Sequence, residues 1–270
     1  MIAFPNCKIN LGLNITAKRQ DGFHDLETVF IPVPFQDILE IIPASTFTFS
    51  VSGLAVNTND NLCTKAYDLV KKDFPNLPAV KMHLHKTIPM GAGLGGGSSD
   101  AAFVLQMLNE KFNLHLSEER LKGYALHLGS DCPFFLINTP CFATGRGEIL
   151  QPVNIDLRGY QLLIINPGIH ISTQWAFSQV TPQMPSRSIV DIIAQPISTW
   201  KARLKNDFED PVFSSYPDIK KLKEQLYQAG ALYAAMSGSG SSVFGIFPPG
   251  HLIDIDKNET YRYHSAAFGK

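Results

Sequence analysis

The chain has 270 residues, 44% of them hydrophobic and 17% charged, which is enough for one large domain or two modest domains with a hydrophobic core. Its formal net charge of -1 gives no overall positive field that would attract a polyanion. We therefore expect neither a nucleic acid nor a membrane as its main partner.

The cysteines and the first residues indicate a cytoplasmic protein. Four cysteines are scattered along the chain without a Cys-x-x-Cys pair, which excludes a zinc ribbon and a dithiol redox motif. Residues 1–8 contain Pro5 and no charged segment followed by an apolar run, so we expect no signal peptide. The longest apolar runs fall well short of the roughly 20 residues that a membrane-spanning helix needs.

The first third of the chain is rich in predicted strands. Residues 38–42 are mostly apolar, and residues 80–84 alternate apolar with polar side chains. Residues 47–52 also alternate, which predicts an antiparallel sheet with one face in solvent. Between these strands, residues 59–61 are predicted to cap a helix that begins at Leu62. The apolar residues 101–108 predict a buried helix that opens at Ser98.

The second half continues with fewer strands and more charged helices. Ser117 is expected to cap a helix that ends at Gly129, and helix 219–229 leads to a strand at 243–247. After residues 152–158 the predicted helices become more charged, and we place a boundary there between domains 1–152 and 153–270. Residues 160–165 predict a buried strand, and the mixed polarity and aromatic residues of the last twenty residues predict docking onto the fold. Because strands and helices cluster, we predict the α+β class.

The glycine-rich turn, residues 89–99, is the most informative segment. Its five glycines let backbone N–H groups approach an anion, and the helix that follows adds its positive end, so the turn is suited to phosphate. The alternative is a turn that only needs positive φ angles. A dinucleotide-binding motif is disfavoured by the alternating strand before it, and a P-loop is excluded because Gly97 stands where its lysine should be.

Four further features have two readings when they are taken one at a time. The Gly-Ser segment, residues 237–242, can wrap an anion or form a tight turn before a strand. Lys8 alone is best interpreted as an exposed strand lysine, Asp131 as a helix cap and His24 as a surface histidine.

Taken together, three segments resemble the motifs of the galactokinase, homoserine kinase, mevalonate kinase and phosphomevalonate kinase (GHMP) superfamily, in the same order. They are residues 8–13, the glycine-rich turn and residues 236–242. Residues 21–26, 129–135 and 144–148 resemble most the kinases that act on 4-diphosphocytidyl-2-C-methyl-D-erythritol. The resemblance covers nearly the whole chain. It implies a ribosomal-protein-S5-like N-terminal domain, a ferredoxin-like C-terminal domain and ATP-dependent phosphorylation of the substrate's 2-hydroxyl in isoprenoid biosynthesis by the non-mevalonate pathway.

The resemblance also implies roles for individual residues. Asp131 would accept the hydroxyl proton, and Lys8 would converge with it on the reacting oxygen. Mg²⁺ would bridge the ATP phosphates, with no metal ligand assigned to the chain itself. The residues implied to contact ATP are Pro89, Met90, Gly91, Ala92, Gly93, Leu94, Gly95, Gly96, Gly97, Ser98 and Ser99 of the turn, with Asn61 and Lys86 at the nucleoside. The residues implied to contact the substrate are Asn10, Phe23, His24, Thr173, Phe177, Gly238 and Ser239.

The sequence departs from the family pattern at a few positions and leaves alternatives open. Asp100 stands where asparagine is common, and a carboxylate beside a phosphate site repels the ligand unless it faces away or helps hold Mg²⁺. Phe23 replaces tyrosine and keeps the aromatic face, while Cys7, Ser130 and Cys132 replace smaller or apolar residues. The alternatives are a homoserine or mevalonate kinase, a non-catalytic nucleotide-binding relative and a nicotinamide dehydrogenase. We expect a monomer or a weak homodimer.

Overall fold

The computed structural model describes residues 1–56 and 61–269. The helices in this part of the chain are α1 (Leu62–Asp73), α2 (Gly96–Lys111), α3 (Glu118–Leu128), α4 (Cys132–Ile137), α5 (Thr173–Gln179), α6 (Ile189–Ile193), α7 (Glu209–Ser215) and α8 (Pro217–Gln228), with a 3-10 helix at Ile197–Ala202. The strands are β1 (Ile2–Ala3), β2 (Asn6–Lys18), β3 (His24–Gln36), β4 (Ile38–Pro43), β5 (Thr48–Gly53), β6 (Val80–Lys86), β7 (Cys141–Thr144), β8 (Ile149–Pro152), β9 (Gln161–Asn166), β10 (Tyr233–Met236), β11 (Val243–Phe247) and β12 (Arg262–Ala267). Strands and helices cluster rather than alternate, which confirms the α+β class. None of these helices is long and apolar enough to cross a bilayer.

The chain divides into two compact units that interleave along the sequence. The first contains residues 1–7, 35–90 and 95–138, and the second contains residues 8–34, 91–94 and 139–270. The predicted boundary divides the sequence once, after residue 152, whereas each compact unit is made of several separate segments. The two divisions cannot be compared directly, and the boundary stays a prediction.

The first unit contains a sheet with the strand order β1-β4-β6-β5. Strand β4 is antiparallel to both β1 and β6, but β5 is parallel to β6, so the prediction of an all-antiparallel sheet is wrong for β5. The chain leaves β5, runs through α1 and returns in β6, and a helical crossover of this kind joins parallel strands. Because β4 is an antiparallel neighbour of β6, the parallel sheet of a dinucleotide-binding fold is absent from these strands.

Helices α1 to α4 share one hydrophobic core with this sheet. Val80, Met82 and Leu84 of β6 point into the core, as the alternating pattern predicts. The predicted apolar helix is α2, whose residues from Ser99 to Leu105 are buried except Phe103. Each fully buried aliphatic side chain contributes about 1.5–3 kcal/mol of transfer free energy to the stability of this core. Capping of α3 by Ser117 and its end at Gly129 are also confirmed.

The second unit contains two sheets, with the strand orders β2-β3-β7-β8 and β10-β11-β9-β12. The predicted buried strand is β9, which pairs antiparallel with β11 on one side and β12 on the other. The expected docking of the C-terminal residues is therefore confirmed, because β12 forms the edge of the second sheet. The predicted helix before the Gly-Ser segment is α8, whose buried residues Ile219, Leu222 and Leu226 share one face.

Candidate active site

Lys8 lies on β2 and is buried, with 3% of its surface exposed, so its interpretation as an exposed strand lysine is wrong. Its Nζ donates a hydrogen bond of 2.5 Å to Asn10 Oδ1 and lies 4.9 Å from the centre of the Phe30 ring. Asn10 Nδ2 donates to Thr28 Oγ1 at 3.0 Å, and Thr28 Oγ1 donates to the carbonyl of Gly12 at 2.5 Å. Because an ammonium group can only donate, this chain of bonds fixes the orientation of the Asn10 amide.

The middle of the glycine-rich turn, residues 91–94, joins β2 to the Gly-Ser segment. Lys8 N donates to Leu94 O at 2.9 Å, and Ser242 N donates to Ala92 O at 3.2 Å. Ser237 Oγ donates to Gly93 O at 2.8 Å and lies 3.4 Å from Asn10 Oδ1. The second unit therefore brings together residues from the three segments that carry the sequence resemblance.

Gly93 is required where these segments meet. It has a φ of +76°, and a Cβ on it would lie 1.8 Å from the carbonyl oxygen of Ser237. That separation is impossible for a carbon and an oxygen that are not bonded, so any side chain here would push the two backbones apart. Gly238 packs closely against Gly93, since a Cβ on Gly238 would lie 3.3 Å from Gly93 Cα.

Two buried polar residues that the sequence analysis missed hold the start of the Gly-Ser segment. Asn206 Nδ2 donates to Met236 O and Gly238 O at 2.8 Å each, and Asn206 Oδ1 accepts from Phe208 N at 3.0 Å. Glu209 Oε1 accepts from Met236 N at 2.9 Å, and burial raises the pKa of the Glu209 carboxyl. The sequence signal was the polar run at residues 205–207, followed by Glu209 at the start of α7.

The predicted cytidine-binding residues also lie in the second unit. His24 and Phe177 stack with their ring centres 5.0 Å apart, and Phe208 meets Phe177 edge-on at 4.9 Å. Burial and nearby Lys18 lower the pKa of His24, which favours its neutral ring. The structure therefore brings His24 and Phe177 together.

The remaining substrate residues also lie in the second unit. Phe23 is 53% exposed, and the guanidinium of Arg146 lies 4.5 Å from the centre of its ring. Thr173 Oγ1 and Ser239 Oγ are hydrogen-bonded at 3.2 Å, which links α5 to the Gly-Ser segment.

The end of the glycine-rich turn, residues 95–99, belongs to the first unit. Helix α2 begins at Gly96, two residues before the predicted start at Ser98. Gly95 at its N-cap has a φ of +70° and no side chain that could cap the helix. Helix geometry leaves the N–H groups of the first turn without acceptors inside the helix. Those groups and the positive helix end can bind an anion.

Asp131 precedes α4 in the first unit and is half-buried. It occupies the N-cap position of α4, as the helix-cap interpretation predicts, but its side chain makes no capping hydrogen bond to the helix. Lys8 belongs to the second unit. The convergence of Lys8 and Asp131 on one oxygen atom therefore stays a prediction.

The structure corrects the predicted nucleoside contact of Lys86. Its side chain is 0% exposed and its ammonium group pairs with Asp37 and Asp100, so that group is not available to a ligand. Asp100 is likewise buried and faces Lys86, which answers the concern that it would repel the phosphates directly. Asn61 is 7% exposed and its Oδ1 caps α1 by accepting from Cys63 N at 2.8 Å. The other two residues of the predicted cap, Asn59 and Asp60, lie outside the described residues.

Comparison with known proteins identifies the family. The family model for the GHMP kinases N terminal domain matches residues 61–139, and the model for the GHMP kinases C terminal domain matches residues 189–258. A protein of Bacteroides fragilis named 4-diphosphocytidyl-2-C-methyl-D-erythritol kinase is 54% identical over 259 residues, which is 94% of each chain. The chain belongs to this family of GHMP kinases.

Solved structures agree with this membership. A crystal structure of 4-(cytidine 5'-diphospho)-2C-methyl-D-erythritol kinase matches with a TM-score of 0.76 and 32% identity over 91% of this chain and 90% of that chain. Homoserine kinase from Cytophaga hutchinsonii matches with a TM-score of 0.67 at 14% identity, covering 97% of this chain and 95% of that chain, and this likeness shows the fold alone. The predicted two-domain α+β GHMP kinase fold is confirmed. The chain is a small-molecule kinase, and this family membership implies that it uses ATP.

Proposed function

We propose that this kinase transfers the γ-phosphoryl group of ATP to the 2-hydroxyl of 4-diphosphocytidyl-2-C-methyl-D-erythritol. The names of the similar proteins support this substrate. The observation that carries the proposal is the buried Lys8–Asn10 pair, held against Gly93 and Ser237 where the three motif segments meet. A buried ammonium group in a polar setting is suited to the charge of a transferring phosphoryl group.

The glycine-rich turn is proposed to bind the ATP phosphates. The first-turn N–H groups of α2 supply donors that no side chain caps. For Mg²⁺, the described residues contain no cluster of three or more His, Cys, Asp or Glu side chains, and Asp100 is committed to Lys86. Ser99 Oγ is buried without a hydrogen-bond partner, so this turn fits a metal ion held mainly by phosphates and water with one hydroxyl contact, from Ser98 or Ser99. When bound, Mg²⁺ would neutralise phosphate charge.

Asp131 and Lys8 are proposed to act on the reacting hydroxyl group. The hydroxyl oxygen attacks the γ-phosphorus, the bond from that phosphorus to the bridging oxygen breaks, and ADP leaves. Asp131 accepts the hydroxyl proton, and Lys8 offsets the negative charge on the phosphoryl oxygens. Since the transition state of phosphoryl transfer is loose, alignment and charge stabilisation matter more than the strength of the base.

The aromatic residues of the second unit are proposed to bind the cytidine part of the substrate. Phe177 and Phe23 offer ring faces for stacking on cytosine, which is favourable for aromatic pairs. The neutral ring of His24 can hydrogen-bond to the polar edge of the base. Thr173 and Ser239 place two hydroxyl groups 3.2 Å apart for the diphosphate arm, and Asn10 and Gly238 would orient the sugar alcohol or its phosphates.

The activity is tested by measuring ADP formation with and without the cytidyl substrate, and with homoserine, mevalonate and galactose in its place. We expect ADP only with the cytidyl substrate. Asp131→Asn should lower kcat by about 100-fold or more, since a positioned base contributes roughly 10²–10⁴-fold. Asp68→Asn, the same change at an exposed site of α1 in the first unit, is the matched control. Full turnover by folded Asp131→Asn protein would refute the assigned base.

The cytidine site is tested with Phe177→Ala. We expect a KM for the cytidyl substrate raised about tenfold and an unchanged KM for ATP, because loss of one stacking contact costs roughly 1–3 kcal/mol. Lys201→Ala removes a cation from an aromatic contact elsewhere in the second unit, at Tyr227, and should change neither constant. An unchanged KM in Phe177→Ala would show that the pocket lies elsewhere.

The remaining assignments are also proposals. We propose a cytoplasmic enzyme that is a monomer or a weak homodimer, with sequence domains 1–152 and 153–270. The four cysteines are free thiols, as expected for a reducing compartment. Sedimentation of the purified protein over a concentration series would test the oligomeric state.

A further inference from the structure

The turn between β7 and β8, residues 145–148, contributes no residue to the site proposed above, although it lies in a segment that resembles the cytidyl kinases. It is attached to the start of β3, because Leu26 N donates to Gly145 O at 2.7 Å. Within the turn, Arg146 N donates to Glu148 Oε2 at 2.6 Å. These two hydrogen bonds fix the backbone from which the Arg146 side chain extends.

The side chain of Arg146 lies over the ring of Phe23. Its guanidinium is 4.5 Å from the ring centre, within the distance of about 6 Å at which a cation is attracted to an aromatic face. Arg19 and Arg158 pair with carboxylates, whereas in the described part of the chain no carboxylate pairs with Arg146. The charge of Arg146 is therefore directed at the ring and is not neutralised by an ion pair.

The backbone of Phe23 is held separately from its ring. Phe23 O accepts from Arg19 N at 2.8 Å, and Phe23 N donates to Asp21 Oδ1 at 3.1 Å. The Arg19 side chain donates to both Asp21 and Asp25. Hydrogen bonds from Arg19 and from Phe23 N lower the pKa of Asp21, and the charge of Arg146 acts in the same direction. Arg19 thus engages the carboxylates of this connection, and Arg146 engages the ring.

The two aromatic residues that are proposed to stack on cytosine differ in how they are held. Phe177 stacks with His24 and meets Phe208, a residue of the second unit's core, edge-on at 4.9 Å. Phe23 is 53% exposed in the connection between β2 and β3. A phenylalanine ring has no hydroxyl group, so no strong hydrogen bond can fix its orientation. The ring of Phe23 depends instead on the guanidinium of Arg146.

We propose that Arg146 is a positioning residue, which holds the Phe23 ring in the orientation in which it stacks on the cytosine base. The proposal rests on the proposed function, in which cytosine binds against Phe23 and Phe177. The guanidinium occupies one face of the ring and leaves the other face to the base. A ring that is already held loses less side-chain freedom when the base binds, so the base binds more tightly. The bound base also removes water from the pair, which strengthens the attraction between cation and ring.

The variant Arg146→Gln tests this proposal, because it keeps a long polar side chain and removes the charge. The dissociation constants of cytidine and of CDP are measured by calorimetry, together with kcat and the KM values for the cytidyl substrate and for ATP. Arg146→Lys is the second variant, since it keeps a cation that can lie over the ring. Arg158→Gln is the control, at an exposed arginine of the same unit that pairs with Asp156.

In Arg146→Gln, cytidine and CDP should both bind about threefold to tenfold more weakly, and the KM for the cytidyl substrate should rise by a similar factor. The KM for ATP and kcat should stay within about twofold, because Arg146 acts on the binding of the base and not on the reacting groups. Arg146→Lys should recover part of the lost affinity, although its ammonium group is not planar and cannot stack. The control should match the wild type in every constant.

A double-mutant cycle with Phe23→Leu tests whether Arg146 acts through this ring. Leucine keeps an apolar side chain but has no aromatic face. The loss of affinity caused by Arg146→Gln should be largely absent when residue 23 is already leucine, because the two changes remove one shared interaction. A loss of the same size in both backgrounds would show that Arg146 does not act through Phe23.

Three results with cytidine and CDP would also overturn the proposal. Equal affinity of Arg146→Gln and the wild type for both ligands would show that Arg146 does not position the ring. Weaker binding of CDP with unchanged binding of cytidine would show that the guanidinium contacts the diphosphate instead. Tighter binding of cytidine would show that Arg146 covers the face that the base needs.

Failure of the proposed function would look different from failure of this inference. If the folded wild-type protein binds neither cytidine nor CDP, the proposed cytidine site fails, and the inference fails with it. Cytidine binding that is weakened by Phe177→Ala and is insensitive to every change at Arg146 overturns the present inference alone.

Discussion

Replacing Gly93 with alanine should damage the contact between the glycine-rich turn and the Gly-Ser segment. The change adds a Cβ that would lie 1.8 Å from Ser237 O, whereas ordinary contacts of this kind are longer than 3 Å. Because the obstacle is a backbone carbonyl rather than a flexible side chain, the two segments must separate. The hydrogen bonds from Ser237 Oγ to Gly93 O and from Ser242 N to Ala92 O would be strained or lost.

The magnitude follows from a comparison with Gly250, which has nearly the same φ angle. Gly250 has a φ of +71° and open space where a Cβ would lie, while Gly93 has a φ of +76°. Gly250→Ala should therefore cost only the left-handed penalty of about 1–2 kcal/mol, less a few tenths for the stiffer unfolded chain. Gly93→Ala should cost at least about 3 kcal/mol more, because it also breaks a buried backbone contact.

The assay is urea unfolding of both variants and of the wild type, together with the kinetics of ADP formation. We expect Gly250→Ala to keep the wild-type kcat/KM and Gly93→Ala to lose most of it. Equal free energies of unfolding for the two variants would refute the close approach of Gly93 to Ser237. A stable Gly93→Ala protein with full activity would refute the role of this contact in catalysis.

Three further predictions follow from buried polar groups. Asn206→Ala should destabilise the protein by roughly 2–4 kcal/mol, because it removes the amide donor from the buried carbonyl groups of Met236 and Gly238. Asn154→Ala, at an exposed position, should have little effect on urea unfolding, and equal effects would contradict the role of Asn206. The four cysteines are buried, and burial raises the pKa of Cys132 to about 12. They should therefore react with a disulfide reagent at pH 8 only as fast as the protein unfolds, and one rapidly labelled thiol would contradict this. Folded Asp100 keeps a proton that the unfolded chain releases near its ordinary pKa, so this group should lower the free energy of unfolding by at most roughly 4 kcal/mol as the pH rises from about 4 to about 7. Urea titrations should show a smaller fall over this range in Asp100→Asn than in the wild type, and equal slopes would contradict the raised pKa.

Local signals in the sequence predicted most of the regular elements. The alternation of residues 80–84 gave the inward and outward faces of β6, and Ser117 and Gly129 gave the ends of α3. These features depend on neighbours in the sequence, which hydrophobic period and capping describe well. The joint order of the three motif segments also pointed to residues that the second unit brings together, although each was weak evidence alone.

Features that depend on distant partners could not be predicted in the same way. Strand β5 pairs in parallel with β6. The alternating pattern of β5 fits a parallel or an antiparallel neighbour equally well, so it does not predict the direction of pairing. Lys86 ends a strand and would ordinarily be exposed. It is buried because its ammonium group pairs with Asp37, 49 residues earlier, and with Asp100, 14 residues later. The role of Asn206 depends on two carbonyl groups about 30 residues away.

Strand β12 closes the open side of β9, a strand whose residues from Leu162 to Asn166 are all buried. A protein cut by a protease just before Arg262 would expose the backbone amide and carbonyl groups along that side of β9. Such an edge is a template for pairing with another chain, so clipped material should form aggregates even where the catalytic residues are intact. Storage and expression of this kinase therefore depend on an intact carboxyl-terminal strand, and affinity tags are better separated from it by a flexible spacer.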